Sequence, residues 1–234
     1  MDGIKKFEGV DYENIFTKRI IDMHELVKKV LSDKISDGDG IIDIGGGPGI
    51  SAKIIEELGV KAIVTNIEPS NMIYNVPSLS LVEYIPLNMS LKEALDAHMP
   101  YTADFLLMVS SAHEIALCNN MKVSTENKKI FFNDLKAFVR KNLKRNGSII
   151  IGFPNYKVGV SKEEIARQRG LTESLLGHSH PPDEYFTVEE FSTAFGIQPT
   201  VFVQKPMNLT HENSENSILI ANVAVFEIKN FKAF

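Results

Sequence analysis

Ile41-Ile42-Asp43-Ile44-Gly45-Gly46-Gly47-Pro48-Gly49 joins a short apolar, β-branched run, with one acid near its end, to a loop rich in glycine. This pattern predicts a strand that ends in a tight turn, where the missing side chains let a ligand approach the backbone. Ile50, Ile54 and Leu58 then recur at helical spacing before Gly59, so a helix follows the turn. The turn therefore presents free backbone N–H groups at the start of a helix, where a ligand can bind.

The glycine loop alone is compatible with two classes of cofactor. Residues 47–52 also fit the G-x-G-x-x-[GA] pattern of dinucleotide-binding turns. Asp43 favours a different ligand, because a carboxylate at the end of the strand repels a pyrophosphate and the loop contains no basic residue. A ligand with an ammonium and a sulfonium group is attracted instead, by about 1 kcal/mol per charge pair even at a dielectric constant near that of water.

Asp43-x-Gly45-x-Gly47-x-Gly49 resembles the first motif of the class I S-adenosylmethionine-dependent methyltransferases, (D/E)-x-G-x-G-x-G. The resemblance implies S-adenosylmethionine as the cofactor and a Rossmann-like α/β fold. That fold is an open, doubly wound sheet of about seven strands, mostly parallel with an antiparallel last strand, and it has helices on both faces. The resemblance extends over residues 38–228 and is strongest in the first half.

The next strands place the other expected cofactor residues. Glu68 follows the predicted strand 62–67, and an acid there accepts two hydrogen bonds from ribose hydroxyls in methyltransferases and dinucleotide enzymes alike. Asn88 occupies the place where similar methyltransferases usually carry an aspartate for the adenine amino group, and its amide oxygen can accept the same bond. The predicted cofactor site comprises Asp43, Gly45, Gly46, Gly47, Gly49, Glu68, Asn88, Met89 and Ser110.

The reacting centre is expected beyond the fourth strand, residues 104–109. In open α/β sheets, ligands bind outside the carboxyl ends of the strands, so Ser110 and His113 should face the transferable methyl group. Many small-molecule methyltransferases carry a histidine at the place of His113, and its near-neutral pKa suits a base that deprotonates an acceptor hydroxyl or amine. A histidine in a packing or loop role is the alternative interpretation.

Two segments outside the common core are expected to determine the acceptor. The chain divides into an N-terminal helical lid at residues 1–37 and a methyltransferase domain at residues 38–234. The amphipathic pattern of residues 11–36 fits a helix that closes over the cofactor and equally a helix that merely covers the sheet. An insertion at residues 154–186 is expected to cover the acceptor pocket.

The insertion supplies three candidate substrate contacts, His178, His180 and Tyr185, besides His113. The two histidines together with His113 also have the chemistry to bind a metal ion. Histidines in a proline-rich loop are more often solvated, and no Cys partner or H-E-x-x-H spacing accompanies them, so we expect no metal site.

Composition excludes several other classes of protein. The chain has 234 residues, a net charge of −5 and one cysteine, Cys118, so no internal disulfide forms. No apolar run approaches the roughly 20 residues of a membrane span, and the N-terminus lacks the apolar core of a signal peptide. The only basic cluster, within residues 128–145, is predicted to form the solvated side of an amphipathic helix. We expect a cytoplasmic protein with no membrane or nucleic-acid partner, and the sequence leaves the oligomeric state open.

These patterns predict methyl transfer from S-adenosylmethionine to an oxygen or nitrogen of a small-molecule acceptor by in-line displacement. An NAD-type oxidoreductase is one alternative, although the chain contains no Tyr-x-x-x-Lys pair. A protein that binds S-adenosylmethionine or S-adenosylhomocysteine without catalysis is the other, because such a protein needs the same motifs.

Overall fold

The computed structural model describes residues 23–76, 78–117, 124–176, 181–206 and 218–227. Seven strands form one sheet: β1 Gly40–Ile44, β2 Ala62–Ile67, β3 Val82–Leu87, β4 Ala103–Val109, β5 Leu143–Tyr156, β6 Thr200–Pro206 and β7 Leu219–Glu227. Their order is β3-β2-β1-β4-β5-β7-β6; the first five of these strands run parallel, and β7 runs antiparallel to both of its neighbours, β5 and β6. The predicted open α/β sheet with an antiparallel last strand is confirmed.

Helices cover both faces of this sheet. They are α1 over residues 23–32, α2 Ile50–Glu57, α3 Leu91–Asp96, α4 Ala112–Leu117, α5 Thr125–Asn142, α6 Lys162–Leu176 and α7 Val188–Phe195. One face packs against α1 and α2, and the other packs against α3, α4, α5 and α7. Within the described part of the chain, no helix combines the length and the apolar character that crossing a membrane requires.

Helix α1 lies on the sheet with its first described residue near the carboxyl ends of the strands. The Met23 sulfur packs on Gly152 of β5, which is paired with the last residue of β4. At the other end, Lys34 forms an ion pair with Glu227. His24 of α1 is buried, and burial lowers its pKa to about 4. The residues of the predicted helix before Met23 lie outside the described residues, so their closure over the cofactor stays a prediction.

The helical termini follow the sequence signals. Ser90 and Thr187 begin α3 and α7 with complete capping boxes. Gly59 and Gly196 follow the last turns of α2 and α7 in left-handed conformations, as expected of glycines that end helices.

The end of α5 differs from the prediction. The amphipathic helix predicted for the basic cluster extends over residues 128–145, whereas α5 ends at Asn142 and Leu143 begins β5. Leu143 has an extended backbone, is buried in the core and pairs with Ala103 of β4. Its apolar side chain fits the helical stripe and the sheet core equally well, and the pairing with β4 decides for the sheet.

The face under α5 and α7 is dominated by aromatic rings. Phe191 is fully buried, and its ring centroid lies 5.1–6.4 Å from those of six others. These six are Phe131, Phe132, Phe153, Phe186, Phe195 and Phe226. Such pairs contribute about 0.5–1.5 kcal/mol each beyond their buried area. Phe191 is therefore a central packing residue of this face.

We expect Phe191→Ala to lower the free energy of unfolding by about 3–5 kcal/mol, because the cavity would remove contacts with six rings. Urea denaturation followed by circular dichroism measures the loss. Ile130→Ala, on the exposed side of α5, is the control and should change stability by less than about 0.5 kcal/mol. A loss below about 1 kcal/mol for Phe191→Ala would contradict the packing described here.

Candidate active site

Strands β1 and β4, which carry predicted site residues at their carboxyl ends, lie next to each other at the centre of the sheet. β1 lies between β2 and β4, and Asp43 of β1 is paired in register with Asn66 of β2. Both side chains are fully buried, Asp43 at 1% exposure. The strand order reverses between β1 and β4, which is the position where ligands bind in open α/β sheets.

The loop after β1 needs its glycines for two different reasons. Gly45, Gly47 and Gly49 have φ angles of +70°, +52° and +76°, a region that other residues rarely adopt. Gly46 is required by close approach, because a Cβ there would collide with the Asp43 carboxylate and lie 2.7 Å from Asn66 Oδ1. The loop therefore closes directly over Asp43.

Asp43 is a buried carboxylate without a hydrogen-bond partner. Neither of its oxygens is exposed, and neither accepts a hydrogen bond from the described residues. Burial raises its pKa to about 7, the nearby Ser51 hydroxyl, which lies outside hydrogen-bond geometry, lowers the pKa, and the nearby charge of Glu68 raises it further. The Asn66 amide oxygen, on the other side of Gly46, is also buried and unpartnered. Two unpaired acceptors thus produce negative potential beneath the loop.

The N–H and the carbonyl oxygen of Gly47 both form hydrogen bonds with side chains from β2 and the residue that follows it. Its N–H donates to Glu68 Oε2 at 3.2 Å, and its carbonyl oxygen accepts from Asn66 Nδ2 at 2.9 Å. The other carboxylate oxygen of Glu68 accepts from the Ser70 N–H at 2.9 Å. Each carboxylate oxygen has a second lone pair, so Glu68 retains the capacity to accept ribose hydroxyls.

Asn88 is oriented by the chain that follows β2. Its Nδ2 group donates to the carbonyl oxygens of Glu68, at 3.3 Å, and Ser70, at 3.0 Å. Its amide oxygen has no partner among the described residues, and the side chain is exposed. This orientation suits the predicted bond from an adenine amino group. The half-buried Met89 packs next to it against the core.

The tip of β4 carries backbone strain. Ser110 has a φ angle of +56°, the only positive value among the described non-glycine residues, and its hydroxyl is buried without a partner. Its N–H donates to the Gly152 carbonyl at 2.7 Å, while Ser111 Oγ donates to the Ile44 carbonyl at 2.7 Å. Strained residues at strand tips occur frequently in functional sites. His113 belongs to α4, which begins directly after this strained turn.

Tyr185 is the one predicted substrate residue of the insertion that the structure describes. It is buried, its ring lies edge-on to Tyr156 at a centroid distance of 5.8 Å, and its carbonyl oxygen accepts from Lys128 Nζ at 2.7 Å. Tyr156 ends β5, which runs past the tip of β4. His178 and His180 lie outside the described residues. Within the described ranges, no three histidine, cysteine or acidic side chains are grouped as metal ligands.

Three further residues at the site, Asn66, Tyr84 and Ser111, were not predicted from the sequence. Asn66 carried a signal, because it is a polar residue within the apolar run of β2, two positions before Glu68 and thus on the same face of the strand. Tyr84 and Ser111 carried no such signal.

Comparisons with known proteins find similarity in structure only. No family model and no curated protein matches the sequence. Among solved structures, Haemonchus contortus phosphoethanolamine N-methyltransferase 2 in complex with S-adenosylmethionine matches with a TM-score of 0.61 and 12% identity, over 97% of this chain and 60% of that chain. The plantazolicin methyltransferase BpumL, in complex with a triazolic desmethylPZN analog and S-adenosylhomocysteine, has a TM-score of 0.58 and 12% identity over 96% and 94%.

A third match is an S-adenosylmethionine-dependent methyltransferase from Aquifex aeolicus, with a TM-score of 0.51 and 15% identity, over 92% of this chain and 98% of that chain. The chain therefore has the fold of the class I S-adenosylmethionine-dependent methyltransferases. At these identities the similarity establishes the fold and leaves the activity to be argued from the site.

The raised pKa of Asp43 predicts a pH-dependent stability. An unfolded aspartate loses its proton near pH 4, whereas folded Asp43 keeps it up to about pH 7. The folded state thus binds more protons in this window, and the contribution of Asp43 to stability falls as the pH rises through it. Asp43→Asn removes this contribution.

We therefore expect the stability of Asp43→Asn relative to the parent chain to increase from about pH 4 to pH 7, by at most about 1.4 kcal/mol per pH unit. Urea denaturation at a series of pH values measures this difference. A difference that stays constant with pH would show that Asp43 is ionised throughout.

Proposed function

We propose that the chain is an S-adenosylmethionine-dependent methyltransferase that acts on an oxygen or nitrogen of a small-molecule acceptor. The observation that carries the proposal is the buried, unpaired Asp43 carboxylate beneath the glycine loop of a class I methyltransferase fold. Together with Glu68, it places two acids at the loop, which favours a cationic ligand over a pyrophosphate.

The residues around the loop fit each part of this cofactor. The glycine loop would bind the methionine end, Glu68 the ribose hydroxyls, and Asn88 with Met89 the adenine. A cationic ligand would lower the pKa of Asp43 and favour its ionised form, which would then act through its charge rather than by contact, because the backbone of Gly46 closes over the carboxylate. The unpaired oxygens of Asp43 are consistent with a positively charged group on the opposite side of this loop.

The reaction places limited demands on the protein's own chemistry. When bound, S-adenosylmethionine supplies a methyl group that an acceptor takes in an in-line displacement. Alignment of the reactants can contribute about 7 kcal/mol or more, so the protein's main task is to position the acceptor and exclude water. Ser110, at the tip of β4, would help to position the acceptor, and His113 would deprotonate an acceptor that is protonated at neutral pH.

A small-molecule acceptor is supported by the contacts that the basic cluster within residues 128–145 makes inside the chain. The sequence pattern indicated that these cations are solvated, but three of them are used within the chain. Lys128 forms an ion pair with Glu190 at 2.9 Å, Lys144 binds Asp104 at 2.8 Å, and Lys141 donates to two backbone carbonyls. These contacts leave four of the seven cations, Lys129, Lys136, Arg140 and Arg145, so the patch that could bind the phosphates of a nucleic acid is smaller than the sequence suggests. The location in the cytoplasm stays a prediction.

The cofactor class is tested by calorimetry with S-adenosylmethionine, S-adenosylhomocysteine and NAD. We expect micromolar binding of the first two and none of NAD, because the acids at the loop repel diphosphate. Glu68→Gln should weaken S-adenosylhomocysteine at least tenfold, since a neutral amide replaces the carboxylate that receives the ribose hydroxyls. Glu57→Gln, on the exposed side of α2, is the control and should leave affinity unchanged. Tight NAD binding without a response to the other two ligands would defeat the proposal.

The role of His113 is tested by transfer of labelled methyl groups to a panel of small hydroxyl and amine acceptors. We expect His113→Ala to lower turnover at least tenfold and to leave cofactor affinity nearly unchanged, because the base acts on the acceptor only. His98→Ala, at an exposed position, is the control. Unaltered turnover would remove His113 from the reaction, and binding of the cofactor without transfer to any acceptor would favour a non-catalytic binding protein.

A further inference from the structure

The hydroxyl of Tyr84 links two parts of the chain that lie far apart in the sequence. Tyr84 is a half-buried residue of β3, the edge strand. Its hydroxyl accepts a hydrogen bond from Asn66 Nδ2 at 2.7 Å and donates one to the carbonyl oxygen of Ile73 at 3.2 Å. Ile73 belongs to the short 3₁₀ helix Asn71–Tyr74 that follows β2.

Asn66 extends this link to the glycine loop. A side-chain amide has two N–H donors, and Asn66 uses one for Tyr84 and one for the carbonyl of Gly47 at 2.9 Å. A continuous relay therefore runs from the Gly47 carbonyl through Asn66 and Tyr84 to Ile73. The Tyr84 ring also lies 3.1 Å from the place of a Cβ on Gly49, so it packs beneath the other end of the loop.

The relay joins the two halves of the site described above. The methionine half-site is the glycine loop, residues 45–49, and the nucleoside half-site comprises Glu68 and Asn88, with the 3₁₀ helix Asn71–Tyr74 following directly after Glu68 and Ser70. We propose that Tyr84 is a positioning residue that couples these half-sites, so that a ligand spanning both binds more tightly than its separate parts predict. This inference rests on the proposed function, because it assumes that one adenosyl ligand occupies both halves.

The chemistry of the phenol suits a permanent link. Burial, followed by the charges of Asp43 and Glu68, raises the pKa of Tyr84 to about 12, against the opposing hydrogen bond from Asn66. The hydroxyl therefore keeps its proton at physiological pH and can always donate to Ile73. Removal of the hydroxyl alone breaks both bonds and keeps the ring in place.

Tyr84→Phe is the matching variant, and calorimetry with S-adenosylhomocysteine and with adenosine is the measurement. S-Adenosylhomocysteine spans both half-sites, whereas adenosine occupies only one. We expect the variant to weaken S-adenosylhomocysteine at least tenfold and adenosine less than twofold. Tyr74→Phe, an exposed tyrosine of the same 3₁₀ helix, is the control and should change neither affinity.

Asn66→Ala breaks the same relay one bond closer to Gly47 and provides an independent variant. If the relay acts as a unit, the double variant Tyr84→Phe/Asn66→Ala should bind S-adenosylhomocysteine as tightly as whichever single variant binds it more weakly. Affinity for S-adenosylhomocysteine within twofold of the parent in Tyr84→Phe would overturn the inference, as would equal losses for both ligands. If the parent chain binds neither ligand, the proposed function itself fails, and this result is distinct from the first two.

Discussion

The site depends on the hydrogen bonds that hold the N–H and carbonyl groups of Gly47 in the loop above the buried Asp43 carboxylate. Asn66 binds the carbonyl of this residue and Glu68 binds its N–H, so two side chains of the β2 region determine the course of the loop after β1. The loop in turn seals Asp43 from solvent and closes so tightly that Gly46 tolerates no Cβ. Loss of any of these contacts would change the position of the helix start that follows.

This arrangement destabilises the ligand-free fold and would favour a bound cation. An unpaired buried carboxylate destabilises the folded state, and its raised pKa measures that penalty. The left-handed Ser110 at the tip of β4 adds backbone strain of about 1–3 kcal/mol. The aromatic cluster around Phe191 on the opposite face of the sheet contributes stability that offsets both. A cationic ligand at the loop would compensate the charge that the protein leaves unpaired.

Much of this fold could be predicted from the sequence, because local signals decide it. The strand–loop–helix unit around residues 41–58, the bounds of β2 and the capping boxes all follow from short-range patterns. The end of α5 could not, because Leu143 fits both a helix and a strand until β4 pairs with it. The partly buried ion pair of Lys128 and Glu190 joins residues 62 positions apart, and the Asn66–Tyr84 relay crosses two strands. The roles of His113, His178 and His180 stay predictions.

A crystal structure of the chain with S-adenosylhomocysteine tests the central claim most directly. The account predicts the ribose hydroxyls within hydrogen-bond distance of Glu68, the amino acid end against the glycine loop, and Asp43 still covered by Gly46. A nucleoside bound elsewhere on the molecule would contradict the account, as would a ligand in direct contact with the Asp43 carboxylate.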